Sequence, residues 1–202
     1  MNKYIIAAAA CAALASGAAV AQDFKAGDLL VRARAVRLSS DNGGSLGQGT
    51  ATDLTINDKT IPEVDFTYFF NKNLAAELIL TVPQRHDVSA GGAKIGTLKH
   101  LPPTLTAQYH FNPVSGFKPY VGAGVNFTNF TAVDLPAGYN VDRQSFGLAL
   151  QAGVDYELSK NLYLNLDVKK VQIKTDVSVN GAKVGDFKVD PLLVGVGLGW
   201  RF

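Results

Sequence analysis

Charged side chains at alternate positions are the residues in this sequence with the clearest capacity for chemistry. Each lies in a segment whose other positions are large and apolar, so the charges share one face of an extended chain. Charges withdrawn from water must be paired, and we therefore expect one ion-pair network in the interior. The network either fills and holds that interior, or also plugs a channel and forces solutes to leave sideways. The expected members are Arg32, Arg34, Glu63, Asp65, Glu77, Asp167 and Lys169.

The three histidines indicate neither a metal site nor an enzyme. A metal needs convergent ligands, yet His86 and His100 fall in one predicted loop and His110 lies near the opposite end. A lipid-modifying hydrolase with a Ser–His pair would need its histidine on a lipid-facing wall. His110 is predicted to point inward instead. We expect no catalytic residues, no metal and no cofactor.

Glycine pairs such as Gly122 and Gly124 resemble phosphate-binding loops only superficially. A dinucleotide-binding motif requires a turn that opens a helix, whereas these glycines alternate with large apolar residues inside predicted strands. Nucleotide binding is not expected.

Three prolines could open a wall between strands. Pro83, Pro102 and Pro103 stand at the outer ends of the predicted third and fourth strands, which are neighbours. Proline cannot donate a hydrogen bond to a sheet, and an unpaired backbone group in lipid costs several kcal/mol. The three residues are therefore a predicted lateral gate. The alternative is that they are ordinary prolines at the start of a loop.

The elements that position these residues are strands, because the dominant period of the chain is two. Eight segments alternate in this way and are long enough to cross a bilayer as tilted strands. No amphipathic helix of useful length competes with them. The predicted strands cover residues 29–38, 63–70, 74–82, 104–111, 120–130, 145–158, 162–169 and 192–202.

The connections between these strands alternate in length. Residues 71–73, 112–118 and 159–161 are short and polar, whereas 39–59, 83–99, 133–142 and 175–187 are longer. Short turns on one side and long loops on the other are typical of outer-membrane barrels. The sequence predicts an all-β fold, an eight-stranded antiparallel up-and-down transmembrane β-barrel.

A soluble barrel with an apolar interior is the alternative, and residue size argues against it. An eight-stranded interior is just wide enough to be filled by side chains, which suits the face that carries glycines and pairable charges. The large apolar face then meets lipid. Aromatic residues beside the short turns fit an interfacial girdle: Tyr68, Phe70, Tyr109, Phe111, Tyr156, Tyr163 and Trp200.

Both ends of the chain carry export and assembly features. Residues 1–21 have a short positive start, an apolar core and the small-residue pattern Ala19-Val20-Ala21, which predicts a cleaved signal peptide. Residues 22–202 then form one domain. The final strand ends in alternate apolar residues and a terminal aromatic, which resembles the assembly signal of bacterial outer-membrane proteins: Val196, Leu198, Trp200 and Phe202.

Several matching stretches make the chain similar to the OmpW family of small outer-membrane barrels. They include PEVDFTYFFNKNLAAELIL (62–80), LPPTLTAQYHFNP (101–113), SFGLALQAGVDYEL (145–158) and VDPLLVGVGLGWRF (189–202). The resemblance implies a monomeric eight-stranded barrel with a narrow, partly hydrophobic channel for small, often hydrophobic, molecules. Family members are also linked to stress responses and colicin reception.

Two functions remain open on the sequence. The first is passive uptake of small apolar or amphipathic molecules across the bacterial outer membrane, with lateral release into the bilayer. The second is a structural barrel whose long loops bind surface partners. Inward apolar residues near the outer rim, such as Ile61 and Ile79, favour the first. The expected partners are outer-membrane lipid, the assembly machinery and small hydrophobic solutes. No nucleic acid is expected, because the formal charge is only +2 with no basic block.

Overall fold

The computed structural model describes residues 23–46 and 54–202. The predicted signal peptide, residues 1–21, lies outside the described residues. Fifteen strands run through the described chain: β1 Leu29–Ser39, β2 Gly43–Leu46, β3 Leu54–Ile56, β4 Lys59–Phe69, β5 Leu74–Thr81, β6 Gln84–Ala90, β7 Ala93–Leu101, β8 Thr104–His110, β9 Phe117–Asp134, β10 Tyr139–Val141, β11 Gln144–Ser159, β12 Leu162–Val171, β13 Lys174–Val179, β14 Ala182–Lys188 and β15 Leu192–Arg201. In the described ranges, no helix has the length and apolar character needed to cross a membrane.

Eight of these strands close into a barrel. The order around the barrel is β1, β4, β5, β8, β9, β11, β12, β15 and back to β1, and every neighbouring pair is antiparallel. Consecutive barrel strands are neighbours throughout. The predicted eight-stranded antiparallel up-and-down barrel is therefore confirmed.

The barrel closes between its first and last strands. The Leu29 N–H donates to the Phe202 carbonyl at 3.2 Å, and the Phe202 N–H donates back to Leu29 at 2.8 Å. The Phe202 side chain is 75 % exposed and points away from the interior. Val196, Leu198 and Trp200 lie on the same outer face, each at least 38 % exposed. The predicted assembly signal thus coincides with the outer face of the closing strand.

Alternation along the strands separates a large apolar outer face from a packed interior. Exposed large apolar residues recur on the barrel strands, such as Phe66 on β4, Leu78 on β5 and Leu166 on β12, whereas β1 exposes Ala33 and Ala35. The expected aromatic girdle is wrong at one position. Tyr163 is fully buried in the interior, because it falls on the same alternating face as Asn165.

The long connections are not irregular loops but extensions of the sheet above the barrel. β6 and β7 form a hairpin that pairs with the outer end of β9, and β3 adds to its edge. A second sheet has the order β10, β13, β14, β2. The hairpin turns carry the positive backbone φ angles that glycine and asparagine adopt readily, at Gly91, Gly92, Asn180 and Gly181.

The interior has three tiers. A small apolar cluster that includes Phe24 and Phe69 fills the end with the short turns. Buried charged and polar residues occupy the middle. A larger apolar cluster fills the outer part, among the ends of the barrel strands and the two extensions.

Candidate functional site

The ion-pair network of the middle tier centres on Arg32, which β1 directs into the lumen. Its guanidinium binds Asp155 through two contacts, Nε to Oδ1 at 3.0 Å and Nη2 to Oδ2 at 2.7 Å. The remaining terminal nitrogen donates to Asp65 at 2.9 Å and to the Thr67 hydroxyl at 2.7 Å. Charge-assisted, forked contacts of this kind are among the strongest hydrogen bonds in proteins. Arg32 therefore fastens β1 to β4 and to β11.

Arg34 forms the second centre, one inward position along β1. Its Nε lies 2.9 Å from Glu63, and its Nη2 lies 2.6 Å from Asp65 and 3.1 Å from Glu77. Lys169 continues the network, with its Nζ 2.8 Å from Glu63 and 2.7 Å from Asp167. Two arginines and one lysine thus share a connected set of carboxylates.

Neutral side chains satisfy the remaining oxygens of this network. The Tyr120 hydroxyl donates to Asp167 at 2.8 Å, and the Gln151 amide donates to Glu77 at 2.8 Å. Gln108 donates to the same Glu77 oxygen at 2.9 Å. Glycine leaves room for these groups, since a Cβ at Gly153 would overlap the Tyr120 ring. The middle of the barrel is filled by interlocking polar groups.

All seven residues predicted for the network come together in the structure. Their side chains are at most 4 % exposed. The prediction omitted Asp155, the bidentate partner of Arg32. Its alternation with Val154 and Tyr156 marked it as inward-facing, but the pairing depends on how strands lie across the lumen. With Asp155, the network contains five carboxylates and three cations, so its formal net charge is −2.

An apolar pocket lies in the outer tier, above the charges. Its volume is about 160 Å³, and its lining comes from both extensions and from the connection between β9 and β10. An engineered cavity of about 150 Å³ in another protein binds benzene, so this pocket has room for one molecule of that size. The lining residues include Val88, Leu98, Leu135, Val141, Val177 and Phe187.

A smaller cavity of about 20 Å³ lies deeper, between the apolar cluster and the network. Ile61 and Ile79 line it together with Glu63 and Lys169. Both isoleucines are buried, at 2 % and 3 % exposure. The inward apolar positions noted in the sequence therefore do lie at the boundary between the apolar and charged tiers.

His86 and His100 stack on each other on the inner face of the β6–β7 hairpin. Their ring centroids are 4.6 Å apart and the ring planes differ by 10°. The opposite face of the hairpin carries Arg85 and Lys99, directly opposite each other in register, so this level lies above the apolar outer wall. Burial lowers the pKa of His100 to about 3. Burial also lowers the pKa of His86, partly offset by the contact of its Nδ1 with the Asn57 carbonyl at 3.0 Å. Both imidazoles are neutral at pH 7.

Metal binding has no geometric support in the part of the chain that the structure describes. Residues 23–46 and 54–202 contain no group of three or more His, Cys, Asp or Glu side chains placed to hold a metal ion. His110 lies at the far end from the other two histidines, where its Nε2 is 2.9 Å from the Gln108 amide oxygen.

The wall of the barrel is incompletely paired where the prolines lie. The register of β5 and β8 ends at Ile79 opposite Thr104, so Pro83, Pro102 and Pro103 lie beyond the last pair. On the other side of β5, pairing with β4 ends at Thr81 opposite Glu63. A wall groove of about 220 Å³ follows that second seam, lined by Pro62, Glu63, Val64, Leu80, Thr81 and Val82.

Pro62 is a wall proline that sequence reasoning missed. It has no backbone N–H for the seam, and its carbonyl accepts a hydrogen bond from the Thr81 hydroxyl at 2.7 Å. The wall groove and the small inner cavity share Glu63 and Thr81. These two side chains therefore separate the inner cavity from the wall groove.

Comparison with known proteins places this barrel among outer-membrane proteins. An outer-membrane protein of Sinorhizobium fredii is 41 % identical over 85 % of this chain and 79 % of its own length. Outer membrane protein W of Escherichia coli is 34 % identical over the whole of both chains. The crystal structure of the outer membrane protein OprG from Pseudomonas aeruginosa superposes with a TM-score of 0.78, with 31 % identity over 90 % of this chain and 99 % of that one.

These similarities establish the location and the class of the protein. The eight-stranded barrel with its apolar outer wall is a transmembrane barrel of the outer membrane. Residues 25–202, which include every barrel strand, match the sequence model of one family. The chain belongs to the OmpW family.

Proposed function

We propose that the barrel is a passive conduit for small apolar or amphipathic molecules. A solute enters the outer pocket, moves down through the apolar cluster and leaves sideways through the wall near Pro62 and Thr81. The observation that carries this proposal is the order of the tiers: an apolar pocket of about 160 Å³ lies outermost, the buried apolar cluster follows, and a dense charged layer lies below it. Such a pocket favours apolar solutes, because their transfer from water is favourable by about 25 cal/mol per Å² of buried surface.

The charged layer supports sideways rather than straight passage. Arg32, Asp65, Glu77 and Asp155 have no exposed side-chain surface, and their contacts span the lumen from β1 to β4, β5 and β11. An apolar solute that crossed this layer would have to separate buried ion pairs, and breaking one such pair costs about 3–5 kcal/mol. The layer therefore serves as a floor to the apolar part of the lumen.

The wall beside β5 supports an exit at that floor. The inner cavity and the wall groove meet at Glu63 and Thr81, and pairing on both edges of β5 stops at that level. Three prolines anticipated from the sequence, Pro83, Pro102 and Pro103, lie around the same opening. We include them with Pro62 in the proposed lateral gate.

We further propose that the barrel works as a monomer in contact with outer-membrane lipid, and that the closing strand is the segment read by the assembly machinery. The continuous apolar outer wall suits lipid contact. No partner protein is needed for the proposed passage, because pocket, floor and wall groove all belong to one chain.

Filling the outer pocket tests the conduit. Ala90 lines the pocket, and Ala93 lies opposite it in the same hairpin but outside the lining. Uptake of radiolabelled toluene is measured in cells that lack other barrels of this family and carry equal surface amounts of each variant. Ala90→Phe should reduce protein-dependent uptake by at least half, and Ala93→Phe should leave it unchanged. Equal uptake by both variants would contradict the proposal.

A further inference from the structure

Among the polar side chains that line the small inner cavity, only that of His100 has no hydrogen-bond partner in the part of the chain that the structure describes. The Asn126 amide donates to Thr104 at 2.8 Å, Thr81 donates to Pro62, and Lys169 binds Glu63. Both ring nitrogens of His100 are buried and lack a hydrogen-bond partner within the described residues. The His86 ring stacks on the His100 ring, and its Nε2 is also buried without a hydrogen-bond partner among the described residues.

The histidine pair also occupies a defined point on the proposed path. On the inner face of the hairpin, Val88 and Leu98 line the outer pocket, and the next inward positions are His86 and His100. His100 then lines the inner cavity. A solute moving from the pocket to the wall groove therefore passes the free ring nitrogens of His100.

Two features of this point restrict the chemistry of a matching ligand. A neutral imidazole offers one hydrogen-bond donor and one acceptor, and the inner cavity of about 20 Å³ has room for a group the size of one water molecule. The other walls are largely apolar, from Leu38, Ile61, Ile79, Val171 and Leu193. The site suits one small polar group attached to an apolar skeleton.

Other ligand classes fit less well. An alkane leaves the ring nitrogens unpaired, and an unsatisfied buried polar group is costly. A carboxylate would bring an uncompensated charge to a neutral imidazole beside Glu63, in a network that is already formally negative. Burial of a charge requires pairing, and the Lys169 ammonium is already held by Glu63 and Asp167.

We propose that His100 binds the single neutral hydroxyl or carbonyl group of an otherwise apolar solute, so that the conduit prefers small alcohols and ketones over alkanes and carboxylates. This selectivity rests on the proposed conduit function. It names His100 as the specificity-determining residue and His86 as the residue that holds the ring by stacking.

Histidine-selective ¹⁵N labelling gives a direct binding test, because the chain has three histidines. The full-length barrel is placed in lipid nanodiscs and titrated with cyclohexanol, cyclohexane or cyclohexanecarboxylate, which share one ring size and produce no aromatic ring currents. Only cyclohexanol should move the His100 ring signals. His110, at the other end of the lumen, is the internal control and should not respond. Equal shifts of His100 with alcohol and alkane, or no shift with the alcohol, would overturn the proposal.

Uptake measurements give the second arm, with His100→Leu and His100→Gln. The ratio of cyclohexanol to cyclohexane uptake should fall about 2- to 10-fold in His100→Leu, the range that one hydrogen bond is worth. It should be largely kept in His100→Gln, whose amide can still pair. An unchanged ratio in His100→Leu would also overturn the proposal. If cyclohexanol moves the His100 signals but no solute is taken up by any variant, the conduit is wrong and the binding site stands.

Discussion

Arg32 and Asp155 bind each other through two contacts inside the barrel, although 123 residues separate them in the sequence. Neither side chain has any exposed surface. The pair joins β1 to β11, which are separated by two other strands on the shorter way round the barrel. It therefore acts as an internal brace that does not depend on hydrogen bonding between neighbouring strands.

Removal of this brace should destabilise the barrel and open its floor. Asp155→Ala leaves the Arg32 guanidinium buried with only part of its counter-charge, and breaking a buried pair costs about 3–5 kcal/mol. We expect a lower urea midpoint for unfolding in detergent and a higher ion leak in planar bilayers. Asp176→Ala is the matched control, because its ion pair with Lys183 lies in the partly exposed hairpin β13–β14. Exposed pairs contribute about 0–1 kcal/mol. If the two substitutions changed the urea midpoint and the ion leak equally, the buried Arg32–Asp155 pair would stabilise the barrel no more than an exposed pair does.

Deletion of Phe202 should impair assembly but not export. The deletion removes both backbone hydrogen bonds that Phe202 makes with Leu29 at the barrel seam. It also removes the terminal aromatic side chain. We expect a smaller heat-modifiable folded fraction in the outer membrane, measured by electrophoresis of unheated samples, with normal secretion. Phe146→Ala is the control, since this side chain is equally exposed on the wall but lies far from the seam. Full assembly of the truncated chain would remove the terminal-signal interpretation.

The double substitution Pro102→Ala with Pro103→Ala should narrow the proposed gate. It supplies one backbone N–H group on the side of β5, at residue 102, and one on the side of β9, where the Pro103 carbonyl already accepts a hydrogen bond from Phe127. Each is worth about 0.5–1.5 kcal/mol net if it joins the sheet. Stability should stay equal or rise, while toluene uptake falls at equal surface expression. Pro119→Ala makes the same chemical change on β9, opposite Val154 and away from this seam, and should leave uptake unchanged. Unaltered uptake in the double variant would mean that the lateral route is wrong.

Acidification should loosen the β6–β7 hairpin before it affects the barrel. The folded pKa of His100, about 3, lies below the ordinary value of 6.5, and that of His86 is lowered too. The folded state therefore binds fewer protons than the unfolded hairpin. The contribution to stability is fully present above about pH 6.5 and is lost as pH falls from there toward the folded pKa.

Amide hydrogen exchange of β6 and β7, corrected for intrinsic rates and referenced to β12, measures this loss between pH 7 and pH 4. Lys59 lowers both histidine pKa values and Asp87 raises that of His86. A hydrogen bond from Lys94 lowers the pKa of Asp87 itself, so Asp87 stays charged through most of this window. His100→Phe should remove most of the pH dependence. If hydrogen exchange in His100→Phe kept its full pH dependence, groups other than His100 would be responsible for that dependence.

The barrel and seven members of its charged network could be predicted from the sequence, because both follow from alternation. A strand places every second residue on one face, so Arg32 and Asp65 had to point the same way as the glycines. The pairing of Arg32 with Asp155 could not be predicted in this way. It depends on how strands that are not neighbours approach each other across the lumen.

The extensions were missed although the sequence carried a signal for them. Asn180-Gly181 between two alternating segments is among the strongest short-range hairpin patterns, and Gly91-Gly92 after residues 84–90 is another. The length of these segments and their glycine and charged residues predict loops instead. Above the membrane, both faces of a hairpin can carry polar residues, so apolar content is a poor guide there. The histidine pair was missed for the same reason, since its two members lie on adjacent strands of one hairpin.

Because the side chains that bind Arg32 have no exposed surface, external salt should affect the buried and the exposed ion pairs of this protein differently. At physiological ionic strength, dissolved ions screen the interaction between exposed charges over a length of about 8 Å, and they screen buried pairs much less. The network around Arg32 is buried, whereas the surface pairs Lys94–Asp87 and Arg37–Asp58 are at least 41 % exposed. A rise in external salt should therefore weaken these exposed ion pairs and have much less effect on the buried network. The electrostatic contribution to stability should therefore depend on salt outside the membrane, and depend on it far less inside the barrel.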